Sequence, residues 1–181
     1  MSARLDGRLA VVTGGSYDPG MTEAIRQAES KDLALLPGIE NSGDRAFREV
    51  GIVFPPGPTV IEEAATTGAE ILVAGDPPIG FAAVIELDGR PHLEQIAVRP
   101  DHGRRGVGAA LLGAVRAGRE GITLITFRDV PWNGPWYARH GFAEFPEAEW
   151  GPELRAHWQA EIDAGLHGLG PRLVMAAVQG S

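Results

Sequence analysis

The stretch His92-Leu-Glu-Gln-Ile-Ala-Val-Arg-Pro-Asp-His-Gly-Arg-Arg-Gly-Val-Gly-Ala-Ala-Leu-Leu-Gly-Ala-Val115 decides the fold. Residues 93–98 form an apolar-rich run of strand length, and Pro100, which has no N–H to donate, stops any ladder beyond it. Gly103, Arg104, Arg105, Gly106, Val107 and Gly108 then make a turn carrying two cations and three glycines. Val107, Ala110, Leu111 and Val115 recur at helical spacing, so a helix follows directly. Strand, glycine-rich turn and helix start together predict an anion site. The first helical N–H groups lack intrahelical partners, and the helix dipole adds positive potential there. Glycine lets a phosphate approach the backbone, and the two arginines add permanent charge.

This segment resembles motif A of the GNAT superfamily of N-acyltransferases, written Arg/Gln-x-x-Gly-x-Gly/Ala after a strand ending in Val-x-Pro. Val98-Arg99-Pro100 supplies the strand end, and Arg105, Gly106, Val107, Gly108 and Ala109 fit the loop. The first motif position falls on Gly103 instead of Arg or Gln, which removes one side-chain contact but no amide. An out-of-step match, Arg105-x-x-Gly108-x-Ala110, also exists, and the in-step one agrees better with Pro100. The resemblance implies that the amides of 103–109, with Arg104 and Arg105, hold the pyrophosphate of acetyl-CoA. It also implies that Ile96, Ala97 and Val98 pair with the pantetheine like an added strand. An N–H near Ile96 would polarise the thioester carbonyl.

Downstream, Trp132-Asn-Gly-Pro-Trp-Tyr-Ala-Arg-His-Gly-Phe142 carries a helix cap set. Asn133 suits the N-cap, Pro135 the first turn and Gly141 the left-handed position after the end. The segment resembles GNAT motif B in a short form, Asn133-x-x-x-Tyr137, whose tyrosine protonates the leaving thiolate in the family. Tyr137 is the only tyrosine after residue 20, so no other phenol competes, although a buried aromatic with a satisfied O–H is the plain alternative. Asn133 is either a coenzyme A contact or only the cap. The family's general base often lies at the acceptor end of the motif A strand. There Glu94 is the first candidate and His92 the second, both sharing a period-two face with Ile96 and Val98. Either is equally readable as a solvated sheet residue. His102, His140, His157 and His167 show no ligand spacing, so no metal is expected.

Outward from this centre, a first strand is expected within 21–28. A helix follows from Lys31, capped by Ser30, with Leu33, Leu36 and Ile39 inward and Pro37 kinking or splitting it. Short helices are expected over 44–50, with Ala46, Phe47 and Val50 apolar, and over 59–67. Strands are expected over 70–74 and 79–87, the second alternating Ile79, Phe81, Ala83, Ile85 and Leu87 as a half-buried strand does. Asp88-Gly89 is a hairpin signal. The helix after the loop should end at Gly121, and 122–127 should be a buried strand parallel to 93–98, the two splaying to admit the cofactor. A helix opening at Pro152 should turn Leu154, Trp158 and Ile162 inward, and 172–178 should be an interior strand.

Residues 1–20 contain a decoy. Gly7 to Ser16 looks like the first strand and turn of a short-chain dehydrogenase, with Thr13, Gly14 and Gly20 in place. Asp18 stands where that family needs glycine, Pro19 blocks an N–H, and Lys31 is the only lysine, so no Tyr-x-x-x-Lys pair exists. These residues are therefore read as a flexible extension before a single domain over 21–181.

Composition limits the rest. With 44% hydrophobic and 22% charged residues, the chain buries a core and is not disordered. The net charge of −8 argues against nucleic-acid or anionic-membrane binding, and zero cysteines exclude thiolate nucleophiles and covalent acyl-cysteine intermediates. No apolar run approaches the ~20 residues of a membrane span, and no signal peptide is evident, so a cytoplasmic protein is expected. The fold class expected is mixed α/β: a GNAT-like, mostly antiparallel sheet with one splayed parallel pair, flanked by helices. The function implied by the resemblance is acetyl transfer from acetyl-CoA to a primary amine, small molecule or peptide, in a ternary complex. A non-catalytic acyl-CoA-binding regulatory module is the alternative, and an apolar edge at Trp150 and Trp158 offers a homodimer contact.

Overall fold

The computed structural model describes residues 23–178. The proposed extension and its dehydrogenase-like turn lie outside the described residues. The elements run β1 (Ile25–Gln27), α1 (Ser30–Leu33), α2 (Leu36–Asn41), α3 (Asp44–Glu49), α4 (Val60–Thr66), β2 (Glu70–Ala74), β3 (Gly80–Leu87), β4 (Arg90–Val98), α5 (Val107–Arg116), β5 (Thr123–Phe127), α6 (Gly134–Arg139), β6 (Phe142–Glu144), α7 (Pro152–Asp163) and β7 (Arg172–Ala177). They form one seven-stranded sheet in the order β1-β2-β3-β4-β5-β7-β6, antiparallel except for the parallel pair β4–β5.

Both faces of the sheet are covered. Leu93, Ile96, Val98, Leu124 and Met175 pack on one side with Leu111, Leu112 and Val115 of α5 and Trp136 and Tyr137 of α6. Ile71, Val73, Phe81, Ala83 and Ala97 pack on the other with Leu36 and Ile39 of α2 and Ile61 and Ala64 of α4. On that second side, Ile125 and Val174 meet Leu154 and Trp158 of α7. The strand β3 is thus buried on both faces from Gly80 to Val84, not half-buried as its alternation suggests. Small alanines on both faces let helices cover each side.

Local chemistry explains the boundaries. Asp88 and Gly89 both take positive φ, 54° and 69°, and close a two-residue hairpin between Leu87 and Arg90. The first helix is capped by Glu29, not Ser30, and its Leu33 is 39% exposed while Asp32 is buried. Asp32 turns inward because Arg26 meets it with two nitrogens, at 2.7 and 3.0 Å. Pro37 stands in the first turn of α2, separating it from α1. The helix α5 stops at Arg116, earlier than Gly121, because Ala117 leaves helical geometry (ψ 115°) and Gly118 takes φ +70°. In α7 the inward residues are Leu154, His157, Trp158 and Glu161; Ile162 is 40% exposed, one position off the buried stripe. Trp150 and Trp158 pack on each other at 5.1 Å, half-buried, rather than forming a bare edge. The edge strand β6 carries only three residues and no legible alternation.

Candidate active site

Two features of β4 organise the site. Its parallel pairing with β5 is confined to His92↔Thr123 and Leu93↔Leu124, although β4 continues to Val98 and β5 to Phe127. Beyond Leu93 the two strands part, so backbone polar groups of residues 94–98 on that edge have no strand partner among the described residues. The Ile96 N–H is taken up instead by the Gln95 side-chain carbonyl at 3.1 Å. Second, the register with β3 moves from Ala83↔Gln95 to Val84↔Leu93, leaving Glu94 as an extra residue, a β-bulge. The bulge overturns the expected shared face. Leu93, Ile96 and Val98 face α5, whereas Glu94 opens to the other side, beside α4 and α7.

The phosphate-type loop follows β4. Pro100–His102 makes one tight turn, Arg104 takes φ +63°, and Gly106, the residue before α5, takes φ +80°. Arg104 and Arg105 are exposed and Gly103 half-buried. Ala110 N–H is bonded back to the Gly106 carbonyl at 2.9 Å, so the earlier amides of Val107, Gly108 and Ala109 begin the helix without intrahelical acceptors. The loop therefore presents donors and positive charge at one place, as an anion site requires.

At the start of α6, Asn133 occupies the cap position, yet its side chain makes no cap bond and is fully buried. Neither its amide nitrogen nor its oxygen has a hydrogen-bond partner among the described residues, and the same holds for the Tyr137 hydroxyl. Tyr137 is fully buried among Leu93, Ile96, Leu124 and Phe142, on the α5 side of the parting strands. Burial raises its pKa above the ordinary phenol value, so it keeps its proton. Buried polar groups normally find partners. Here the polar groups of two buried side chains lie beside the parted strand edge without a hydrogen-bond partner among the described residues.

The opposite side is a cleft of about 590 Å³ between α4 and α7, lined in part by Val60, Glu63, Ala64, Ile85, Glu94 and His157. Both bordering helices are pinned by carboxylates from elsewhere. Glu40 accepts from Val60 N–H at 2.8 Å and Ile61 N–H at 3.0 Å at the start of α4. Asp88, in the hairpin, accepts from Glu153 and Leu154 N–H at 2.9 and 3.0 Å at the start of α7. A side chain at Gly151 would collide with that carboxylate, its Cβ falling 2.2 Å from Asp88 Cγ. At the far end of α7, Glu161 meets Arg172 of β7 at 2.7 Å, both nearly buried.

These anchors set His157 against Glu94, with Nε2 and Oε2 2.9 Å apart. His92 Nε2 lies 3.7 Å from the same oxygen, and its Nδ1 is 2.8 Å from Thr123 Oγ1. Burial holds the His92 pKa down at about 4, so it is neutral near pH 7. Burial pushes Glu94 upward, but the charge of His157 and then its hydrogen bond outweigh it, and the net shift is downward. For His157 burial acts downward, Glu94 outweighs it, and the pKa ends above the usual histidine value. The two form a mutually stabilised pair at the cleft. Histidine spacing in the sequence gave no hint of His157, because it arrives from a helix 63 residues after Glu94. The one usable signal was its place on the Leu154–Trp158–Glu161 stripe, where a charged residue needs a partner.

Comparison with known proteins agrees with this geometry. Residues 67–144 match the acetyltransferase (GNAT) domain family. N-acetylglutamate synthase from Neisseria gonorrhoeae, complexed with coenzyme A and N-acetyl-glutamate, superposes with TM-score 0.56 at 23% identity over 85% of this chain. The chain spans about a third of that protein, 34% of its length. The ribosomal-protein-S18-alanine N-acetyltransferase from Escherichia coli gives TM-score 0.56 at 19% identity, covering 87% of this chain and 96% of that one. A GNAT-family acetyltransferase from Staphylococcus aureus Mu50 gives TM-score 0.60 at 14% identity, covering 85% and 97%. At these identities the structures speak for the fold; the family match covers β2 to β6 with the loop, α5 and α6, and leaves α4 and α7, with His157, outside it. Residues 67–144 thus match the acetyltransferase (GNAT) domain family, and the chain shares the fold of the solved acetyltransferases above.

Proposed function

We propose that this protein transfers an acetyl group from acetyl-CoA to a primary amine by direct attack in a ternary complex. One observation carries the reading: the parting of β4 from β5 has on one face a protonated Tyr137 hydroxyl with no hydrogen-bond partner among the described residues, and on the other a histidine-backed Glu94 carboxylate. Acetyl-CoA, when bound, supplies the acyl group as an activated thioester. The amides of 103–109, with Arg104 and Arg105, would hold its phosphates. Ile96, Ala97 and Val98 would take its pantetheine along the unpaired edge, with Asn133 as a further amide partner. Glu94, directly or through a water, takes the proton that an ammonium must lose before it attacks, and His157 offers that proton a way to the cleft. Tyr137 donates its proton to the leaving sulfur. The cleft, with Glu63, Glu86 and Glu94 among its lining, suits a cationic amine.

Parallel thermal-shift titrations with acetyl-CoA, coenzyme A and NADPH test the cofactor. A ligand at a hundredfold excess over its dissociation constant adds about 2.7 kcal/mol to the folded state. Acetyl-CoA should raise the melting temperature, NADPH should not, and Arg104→Glu with Arg105→Glu should abolish the rise. On an amine panel, Tyr137→Phe and Glu94→Gln should each lower kcat by about a hundredfold or more while keeping the acetyl-CoA shift. Binding without turnover on any amine would favour an acyl-CoA-binding regulatory module. A shift with NADPH alone would overturn both readings.

A further inference from the structure

The side chains of His92, Glu94 and His157 do more than an ion pair needs. A Glu94–His157 pair would be complete with one imidazole, yet two Nε2 atoms lie near the same carboxylate oxygen, at 2.9 and 3.7 Å. One donor atom from each of the three residues lies within 4.8 Å of the other two. Ligands bound to a tetrahedral ion at 2.0–2.2 Å sit about 3.4 Å apart, so these separations bracket that value. His92 is also oriented from behind: Thr123 Oγ1 engages its Nδ1 at 2.8 Å and leaves Nε2 facing Glu94. Metal-binding histidines are ordinarily held by such a partner on the other ring nitrogen. The three residues come from two elements fixed independently. His92 and Glu94 flank Leu93 at the last rung of the β4–β5 pairing, and His157 sits on a helix pinned at its start by Asp88 and near its end by Glu161–Arg172.

We infer that His92, Glu94 and His157 form a site for one borderline transition-metal dication of the Zn²⁺ class, with its open position toward the α4–α7 cleft. Two imidazoles and one carboxylate select zinc-like ions over magnesium or calcium, which prefer all-oxygen sets. Glu161 is not a fourth ligand, since Arg172 meets it with two nitrogens, at 2.7 and 3.1 Å. An ion held here takes up the Glu94 oxygen that amine deprotonation uses, so ion and amine exclude each other. The binding stands on the geometry alone; only the exclusion rests on the acetyl-transfer reading.

The test is calorimetric titration of the full chain, stripped with chelator and dialysed, with Zn²⁺ in the absence of acetyl-CoA. One ion per chain is expected. His157→Ala and Glu94→Gln should each weaken binding at least tenfold, since loss of even an outer-shell partner costs about 10- to 100-fold. His102→Ala, on the loop after β4, should leave it unchanged. Because Glu94→Gln and His157→Ala alter a packed pair, Co²⁺ titration of the unaltered chain is the second readout. Intense visible bands of tetrahedral cobalt support the site, and weak six-coordinate bands overturn it. No stoichiometric Zn²⁺ binding, or binding indifferent to both variants, also overturns it. With an active amine in hand, Zn²⁺ should suppress turnover over the range in which it binds, and chelator should restore it. Binding without suppression keeps the site and removes its link to the proposed base.

Discussion

The two sides of β4 are built by different means. On the α5 side the strand edge, the loop and the helix start are contiguous in the chain, and the groups proposed to hold the cofactor are mostly backbone amides between residues 94 and 109. On the α4–α7 side the proposed working groups are side chains from β4 and α7, held by contacts between distant parts of the chain: Glu40 to α4, Asp88 to α7, Arg172 to Glu161. A contiguous backbone site needs only local conformational chemistry to form, such as a proline stop, glycines at positive φ and a helix start. A convergent side-chain site needs every intervening element in place. The first should therefore tolerate damage to remote ion pairs, and the second should not.

The sharpest way to break this contrast is Arg172→Met. Arg172 is buried, paired with Glu161 and placed 4.5 Å over the Phe127 ring. Removing one partner of a buried pair leaves the other charge uncompensated, at about 3–5 kcal/mol. Chemical denaturation should show that loss. Because α7 loses an anchor, turnover on an amine should fall beyond what the stability change explains, while the acetyl-CoA thermal shift of the remaining folded protein stays near its original size. An acetyl-CoA shift lost in proportion to turnover would show that the two sides are not separable.

This division also decided what could be read from the sequence. The turn at Asp88-Gly89, the proline stop at Pro100, the helix after Gly106 and the strand following it are local, and their spacing exposed them. The bulge at Glu94 was not visible, because an inserted residue alters pairing without altering alternation. It moved Leu93 onto the face of Ile96 and Val98 and sent Glu94 to the cleft. His157 was missed for the same reason in a stronger form: nothing near it in the chain marks it. Ser30 looked like a better cap than Glu29, but Asp32 is turned inward by Arg26, and its carboxylate accepts from Glu29 N–H at 2.7 Å, so the cap falls one residue earlier.

A smaller effect comes from the other side. Gly134 opens α6 directly against the end of β5, where an added Cβ would lie 2.5 Å from the Arg128 carbonyl oxygen and 3.1 Å from that of Phe127. Both are backbone atoms, so Gly134→Ala must push the helix start away. Overpacking of this kind costs about 1–3 kcal/mol. The shift would carry Asn133 and Tyr137 with it, so the acetyl-CoA thermal shift should shrink while Zn²⁺ binding at His92, Glu94 and His157 is untouched. The opposite pattern would place Asn133 and Tyr137 outside the cofactor path.

The smallest expected effect lies at the sheet's far edge and belongs to neither side, which makes it a control on the contrast. Arg26 on β1 holds Asp32 on α1 with two nitrogens; that hydrogen bonding, against the opposing effect of burial, sets the Asp32 pKa at about 2, below its ordinary 3.8. A carboxylate with a depressed folded-state pKa binds its proton more readily when unfolded. Its contribution is therefore fully present above about pH 4, and it is lost as pH falls from there through about 2. Glu161 titrates in the same window, also at about 2, because Arg172 overcomes the upward push of burial. Acid unfolding of the unaltered chain therefore sums these two with other groups of depressed pKa, Glu70, Glu94 and His92 among them, and comparison with Asp32→Asn isolates the Asp32 share. That variant should be less stable at pH 6 and should lose less on going from pH 4 to 2, whereas the acetyl-CoA thermal shift at pH 7 should not change. An equal acid loss in both chains would mean that Asp32 is unpaired in solution, and that the Arg26 contact does not hold α1 against the sheet.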